Sequence, residues 1–527
     1  VDYDGTDRIT RTESTVLNDL TRGDLLRTTT TVWTTNGAQT TEVVSITNRT
    51  VEGDETWQTI YGQTTHSQIA YDGQGGRTET TTSPEGVSTV TTYTNGRLIS
   101  QITTNPAGET LSSVTYAYDA HGRVLTSTDA RNGATTFAYT DDDQVYTITA
   151  PSSDGVEASQ VTTYEYDERG REKKVTLPDS GVVESRYFDT GDLKKQWGDR
   201  VYPVEYTYDT QGRLQTMTTW KDFNQATGIG VSGNTVTRWE YNVRGLLDQK
   251  FYEYVDAGNN DPGPAYTYTN AGRLKTRTWA RGTVTTYSYN NAGDLNSTTY
   301  SDTTPSVSLT FDRQGRTATI TDASGTRAMS YTSGLLTDES FTSSSFSNLV
   351  DMGVNRGLDA LNRIQSLSVM DNTTEIHKTT IGYAHPDSEL ETGRISTLQS
   401  GIFTSEYRYQ NQSFLIDTLS RKDPYNAVLT TTKVYDNLIR LGSTTVDPLL
   451  DETRSFNYTY NSANQRTRET DASGDYWDFS YDDLGQLTSA QKKLQAGSEI
   501  DGLDYDLTFD EIGNRITASS PLSAETA

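Results

Sequence analysis

Apolar side chains in this chain come largely as aromatic pairs two residues apart, with a polar residue between them and a turn signal just after. Tyr116/Tyr118, Tyr164/Tyr166, Tyr206/Tyr208, Tyr266/Tyr268, Tyr287/Tyr289, Tyr407/Tyr409 and Tyr458/Tyr460 are such pairs, with Trp239/Tyr241 and Phe479/Tyr481 as variants. Strand side chains alternate faces, so both rings of a pair lie on one side of a strand. Between these anchors both faces are largely polar, as in Thr285-Thr286-Tyr287-Ser288-Tyr289. The pattern predicts strands that cannot bury a continuous apolar face against a second layer, and stacked tyrosines forming a cross-strand aromatic ladder.

The residues just after several of these pairs are nearly constant. Tyr118-Asp119-Ala120-His121-Gly122-Arg123, Tyr166-Asp167-Glu168-Arg169-Gly170-Arg171 and Tyr208-Asp209-Thr210-Gln211-Gly212-Arg213 repeat one phrase, Y-D-x-x-G-R, with a looser copy at Phe311-Asp312-Arg313-Gln314-Gly315-Arg316. Asp at the first and Gly at the fourth position of a turn fit a type I reversal, in which the carboxylate caps backbone N–H groups and glycine accepts positive φ. Asp119, Gly122, Arg123, Asp167, Gly170, Arg171, Asp209, Gly212, Arg213, Asp312, Gly315 and Arg316 are therefore assigned as structural turn residues, with each arginine placed to reach back to its aspartate. A second reversal, seen at Asp129-Ala130-Arg131-Asn132-Gly133 and Asp471-Ala472-Ser473-Gly474, joins successive copies, so each unit supplies two antiparallel strands. Self-similarity at a period of roughly 20–27 residues implies stacked supersecondary units rather than one globular core.

The repeat is legible over 71–527; residues 1–70 form an irregular first β stretch with degenerate copies, anchored by Trp33 and Trp57. Interruptions at 222–234, 256–264, 341–357, 385–393 and 447–452 cluster Gly, Ser, Asn, Pro or acidic residues and predict longer loops, one or two of them with room for a short helix. Loops on a rigid scaffold are favoured places for binding residues.

Composition narrows the chemistry. Hydrophobic residues make up 32% of the chain, against a typical ~45–50%, yet 33 tyrosines and abundant threonine favour strands over disorder. A formal net charge of −27 argues against nucleic acid and anionic membrane as partners. With no cysteine there is no disulfide, thiolate metal site or thiol nucleophile. No run of ~18 apolar residues marks a membrane span, and the opening phrase Tyr3-Asp4-Gly5-Thr6-Asp7-Arg8 resembles a repeat, as expected of a piece whose targeting signal lies upstream.

The recurring Y-D-x-x-G-R-L phrase resembles the YD repeat of the Rhs family, shared with the B and C subunits of insecticidal toxin complexes and with teneurins, over roughly residues 71–516. The resemblance implies an all-β fold of tandem hairpins in a spiralling antiparallel ribbon, a hollow shell or part of one. In bacterial members such a shell encloses a C-terminal toxin; in teneurins it is extracellular. It implies a secreted or surface location and a polypeptide payload, expected downstream of Ala527. The self-cleaving D-P-x-G plug of bacterial shells has no counterpart here. Neither Asp423-Pro424 nor Asp447-Pro448 is followed by the required glycine, so no proteolytic residues carry over.

Candidate chemistry is sparse. Tyr206, Tyr208, Tyr287, Tyr289 and His385 are the candidate binding residues, for a cell-surface glycan or a partner chain. His66, His121, His377 and His385 are not spaced as metal ligands or acid–base partners. Asp2-Tyr3-Asp4-Gly5-Thr6-Asp7 with Glu13 lacks the glycine of a calcium loop, and Asp141-Asp142-Asp143 reads as a solvated turn. No metal, cofactor or catalytic residue is assigned, and no phosphate-binding, dinucleotide, serine-hydrolase or zincin motif occurs. Encapsulation or scaffolding leads; an extracellular adhesin or carbohydrate-binding surface is the alternative. A polysaccharide lyase or hydrolase sensitive to His385→Ala is the remaining enzyme hypothesis.

Overall fold

Each Y-D-x-x-G-R phrase turns a corner in the same way. In the computed structural model, which describes residues 8–34, 42–256, 259–312, 314–344, 352–384, 393–425, 428–448, 451–510, 513–520 and 523–526, Val201–Tyr208 runs into the Asp209 corner and Leu214–Thr219 returns antiparallel to it. Gly212 N–H donates to the Asp209 carbonyl at 3.0 Å and Asp209 N–H to the Arg213 carbonyl at 2.9 Å. Gly212 sits at φ +75°. The arrangement is a type I turn closed by a residue in the left-handed region, one of the common hairpin loops.

A second irregularity lies two residues further on. Thr207 faces Thr216 while Tyr208 faces Leu214, which leaves Gln215 as the extra residue of a β-bulge. The same slip recurs between Glu165 and Tyr166, Ser288 and Tyr289, Thr459 and Tyr460, and Ser480 and Tyr481. Bulges bend a strand and increase its twist, so each of these repeats carries its own built-in bend.

The described residues contain no helix, and 43 of their strands belong to one sheet, each pairing antiparallel with a sequence neighbour. The expected all-β array of hairpins is thus the observed fold. The chain divides into two compact units, Val1–Tyr116 with Tyr268–Val428, and Ala117–Thr267 with Leu429–Ala527. Each unit is assembled from two stretches far apart in sequence.

Two of the predicted loops are strands. Residues 222–234 contain a separate two-stranded hairpin, Asp222–Asn224 with Ile229–Ser232, which the main ladder bypasses by pairing Leu214–Thr219 with Thr235–Tyr241. It exists because it covers apolar surface: Phe223 lies 5.4 Å from Trp220 and 6.5 Å from Trp197, whose indole N–H donates to the Gln225 carbonyl. Strand Asn259–Tyr268 likewise occupies most of 256–264, where Gly and Pro had suggested a loop. The irregular first stretch pairs as a long hairpin, Arg8–Asp19 with Gly23–Thr34.

In the described residues buried apolar side chains are few and scattered, among them Leu25, Leu111, Trp197 and Phe223. Stability must therefore reside in the ladder and its corners. Replacing Gly212 by alanine isolates one corner, because an added Cβ meets nothing within 4 Å and only the left-handed backbone penalises it. Gly212→Ala is expected to lower stability by about 1–2 kcal/mol, read as a shifted urea midpoint.

Candidate functional site

The aspartate organises the corner. One carboxylate oxygen of Asp209 accepts the N–H groups of Gln211 (2.9 Å) and Arg213 (3.0 Å), and the other accepts Arg213 Nε at 2.7 Å. The Asp119, Asp167 and Asp312 corners repeat the arginine contact at 2.7, 2.7 and 2.6 Å with Arg123, Arg171 and Arg316. Glycine at the fourth position again has positive φ, at Gly122, Gly170 and Gly315. Hydrogen bonds from the Arg171 side chain and backbone hold the Asp167 carboxyl down to about 2. Burial pushes Asp209 upward, but the bonds from Arg213 outweigh it and leave the group below its ordinary value.

The tyrosine links one corner to the next. Tyr139 donates its hydroxyl to the Val124 carbonyl at 2.7 Å while the guanidinium of Arg123, one corner back, lies 4.3 Å from its ring centre. Tyr241 does the same with Leu214 and Arg213 at 2.8 and 4.4 Å. Tyr383 pairs likewise with Ile364 and Arg363 at 2.9 and 4.1 Å, and Tyr460 with Leu441 and Arg440 at 2.8 and 4.7 Å. Each of these corners is therefore a relay: aspartate fixes arginine, arginine covers the next tyrosine, and that tyrosine bonds the carbonyl just beyond the arginine. Where a tyrosine–tyrosine ladder was expected, these ring faces are covered by arginine, because the corner bulge brings the preceding arginine over them.

Two of the candidate binding tyrosines make the same hydroxyl contact. Tyr208 and Tyr289 spend their hydroxyls on the Leu193 and Leu274 carbonyls at 3.0 and 2.8 Å, and Tyr208 meets Phe188 edge-on at 6.0 Å. Tyr206 and Tyr287 are half-buried two residues earlier on the same strands. His385 lies outside the described residues. The other histidines are dispersed: His66 stacks on Trp57 at 4.9 Å, His121 Nδ1 is 3.4 Å from Asp143, and His377 Nε2 is 3.0 Å from Ser400 Oγ.

Sequence reading missed two corners of the same design, Asp359 with Arg363 and Asp436 with Arg440, at 2.7 and 2.6 Å. Both lack the glycine; the surviving signal is the D-x-x-x-R spacing. Also missed was a cleft of about 500 Å³ lined by Glu109, Arg394, Tyr407, Arg408, Tyr409 and Asp417. Arg394 stacks over Tyr409 at 4.3 Å and donates to the Ser413 carbonyl at 2.7 Å; burial lowers its pKa. Mixed guanidinium, carboxylate and phenol groups suit a polar, hydroxyl-rich ligand. Among the described residues no His, Cys, Asp or Glu cluster is arranged to hold a metal ion. No helix there is long and apolar enough to cross a membrane, which says nothing of membrane crossing by strands.

The relay makes alkali a test. Burial raises the tyrosine pKa at Tyr139, Tyr208, Tyr241, Tyr409 and Tyr481, whose hydroxyls all donate to carbonyls. A raised phenol pKa gives stability that is complete below the unfolded value of about 10 and lost as pH climbs through the folded values. These five phenols are expected to ionise late and together with loss of the β signal, read as the difference in tyrosinate absorbance from Tyr→Phe variants. Their ionisation near pH 10 with the fold intact would contradict the relay.

The RHS repeat family model matches residues 94–135 and 460–493. No curated protein matches the chain. Among solved structures the chain is similar to the Photorhabdus luminescens Tc holotoxin pore at 10% identity and TM-score 0.43, covering 97% of this chain and 35% of that one. It is similar to TcdB2-TccC3-TEV at 14% identity and TM-score 0.37, covering 87% and 28%. The chain thus spans about a third of the length of these neighbours. Over those two stretches, near both ends of the array, this chain is similar to RHS repeats.

Proposed function

We propose that the array is wall material of an Rhs-type shell, secreted or displayed on a bacterial surface, which encloses or scaffolds a polypeptide and performs no catalysis itself. The observation that carries this reading is the relay. Hairpins are tied to one another through their own corners, so the sheet needs no second layer and leaves its faces polar and able to border a space. A polar, acidic wall also gives an enclosed chain little apolar surface on which to collapse. Attaching a protease-sensitive reporter polypeptide after Ala527 tests it: the reporter is expected to resist digestion while the array is folded and to be cut once urea unfolds it. Digestion at the rate of the free reporter would overturn the reading.

The Arg394 cleft favours a second reading, recognition of an acidic glycan. Binding on a glycan array that is lost in Arg408→Ala would support it; an unchanged binding profile would remove it.

A further inference from the structure

Every corner needs one residue at positive φ, and glycine usually provides it. At several corners a larger residue stands there instead, among them Asn362 (φ 61°), Ile439 (φ 66°) and Asn464 (φ 62°). Left-handed backbone is strained for residues other than glycine, least so for asparagine, and these corners share a compensation. In the first unit Asn362 Nδ2 donates to the Tyr61 carbonyl at 3.2 Å, Gln63 Nε2 to the Ala360 carbonyl at 2.9 Å, and the Tyr61 hydroxyl to Gln314 Oε1 at 2.7 Å. In the second unit Asn464 and Gln160 exchange two amide hydrogen bonds of 3.0 and 3.1 Å. Beside Ile439, Asn437 donates its N–H to the Ser153 carbonyl at 2.8 Å and Nδ2 to the Ser152 carbonyl at 3.0 Å. Arg200, itself at φ 65°, donates its N–H to the Asp483 carbonyl at 2.9 Å. Several of these partners lie 285 to 304 residues apart, so within each unit the chain returns to itself corner against corner.

We propose that these corners form a seam inside each unit, latched by Asn362 in one and Asn464 in the other, and that the seam opens and closes while the hairpins on either side stay folded. The two kinds of joint differ in strength. Along the ribbon, strands share a full backbone ladder, supplemented at several corners by an Asp–Arg ion pair and an Arg–Tyr stack. Across the seam, the joint is a set of separate hydrogen bonds, most between neutral amides and carbonyls and a few from the Arg131 and Arg200 guanidiniums to carbonyls; several are exposed, so water can replace them as they break. Segments joined in this way open at lower free energy than the body of a protein. The inference concerns the array itself and stands whether or not anything is enclosed.

Hydrogen exchange on the full chain tests it. The Asn437 and Arg200 amides are expected to exchange well before amides inside Arg466–Asp471, at a rate insensitive to low urea. Asn464→Gly removes the latch while giving the corner its preferred residue. Exchange of the Asn437 amide should rise roughly fivefold to tenfold, with the global urea midpoint unchanged or higher. Because the chain has no cysteine, Gln160→Cys with Asn464→Cys can be joined by a short bismaleimide without side reactions. That bridge should slow the seam amides to the rate of the strand amides. Seam and strand amides exchanging together in the wild type, a midpoint lowered by Asn464→Gly, or no slowing by the bridge would each overturn the proposal.

Discussion

Arg363→Ala is expected to be among the most damaging single substitutions in the array. Arg363 Nε donates to Asp359 Oδ2 at 2.7 Å, both side chains are less than one-fifth exposed, and the guanidinium covers Tyr383 at 4.1 Å. Removing it forfeits a charge-assisted hydrogen bond and a cation–π contact, and leaves the Asp359 carboxylate sheltered without its counterion. Together these are expected to cost about 2–4 kcal/mol. Arg363→Lys should recover only part, because an ammonium lacks the planar fork and stacks less well on a ring. In an array where each unit touches mainly its neighbours, the loss should appear first as faster exchange in Ile364–Asp371 and Thr374–Gly382 and only later as a lower urea midpoint.

Acid should dismantle the array within a narrow window. Asp119, Asp167, Asp209, Asp359 and Asp471 all have carboxyls held below their ordinary value, Asp167 down to about 2. For Asp167 the Arg171 hydrogen bonds are the main cause. At the other four burial is the largest influence and works upward, and hydrogen bonds to neighbouring basic and backbone groups outweigh it. A depressed carboxyl contributes stability that is complete above the unfolded value and disappears as pH falls through the folded one. The corner contribution is therefore intact at pH 5 and lost between about pH 4 and pH 2. Because these five carboxyls titrate over the same interval, the β signal is expected to collapse steeply there. Collapse near pH 6, where only histidines titrate, would show that the corners are not what acid attacks.

How far the sequence spoke depends on whether a residue's partner was local. Asp, Gly and Arg each do a separate job within one five-residue corner, so the phrase around Asp209 spelled out its own geometry. The tyrosines were placed on the right strands but given the wrong neighbour. Spacing of two fixes which face a ring shares, not what lies over that face, and the covering arginine arrives from the previous corner through a bulge that periodicity does not reveal. The corners at Asp359 and Asp436 were overlooked because asparagine and isoleucine stand where glycine was the signal, and those substitutions became intelligible only once Asn362 was found bonded to Tyr61. Partners some 300 residues apart leave no local trace. The 222–234 hairpin was hidden for a different reason: its Gly-rich composition reads as loop, while its purpose is to cover Trp197 and Trp220.

The most direct test of the central claim, that one corner's arginine is tied to the next corner's tyrosine, is a double-mutant cycle. Arg363→Ala, Tyr383→Leu and the double variant would be compared with the wild type by urea unfolding. The relay predicts a coupling energy of about 0.5–2 kcal/mol. Effects that simply add, to within about 0.3 kcal/mol, would mean that the two residues act separately and that the hairpins are held together by their ladders alone.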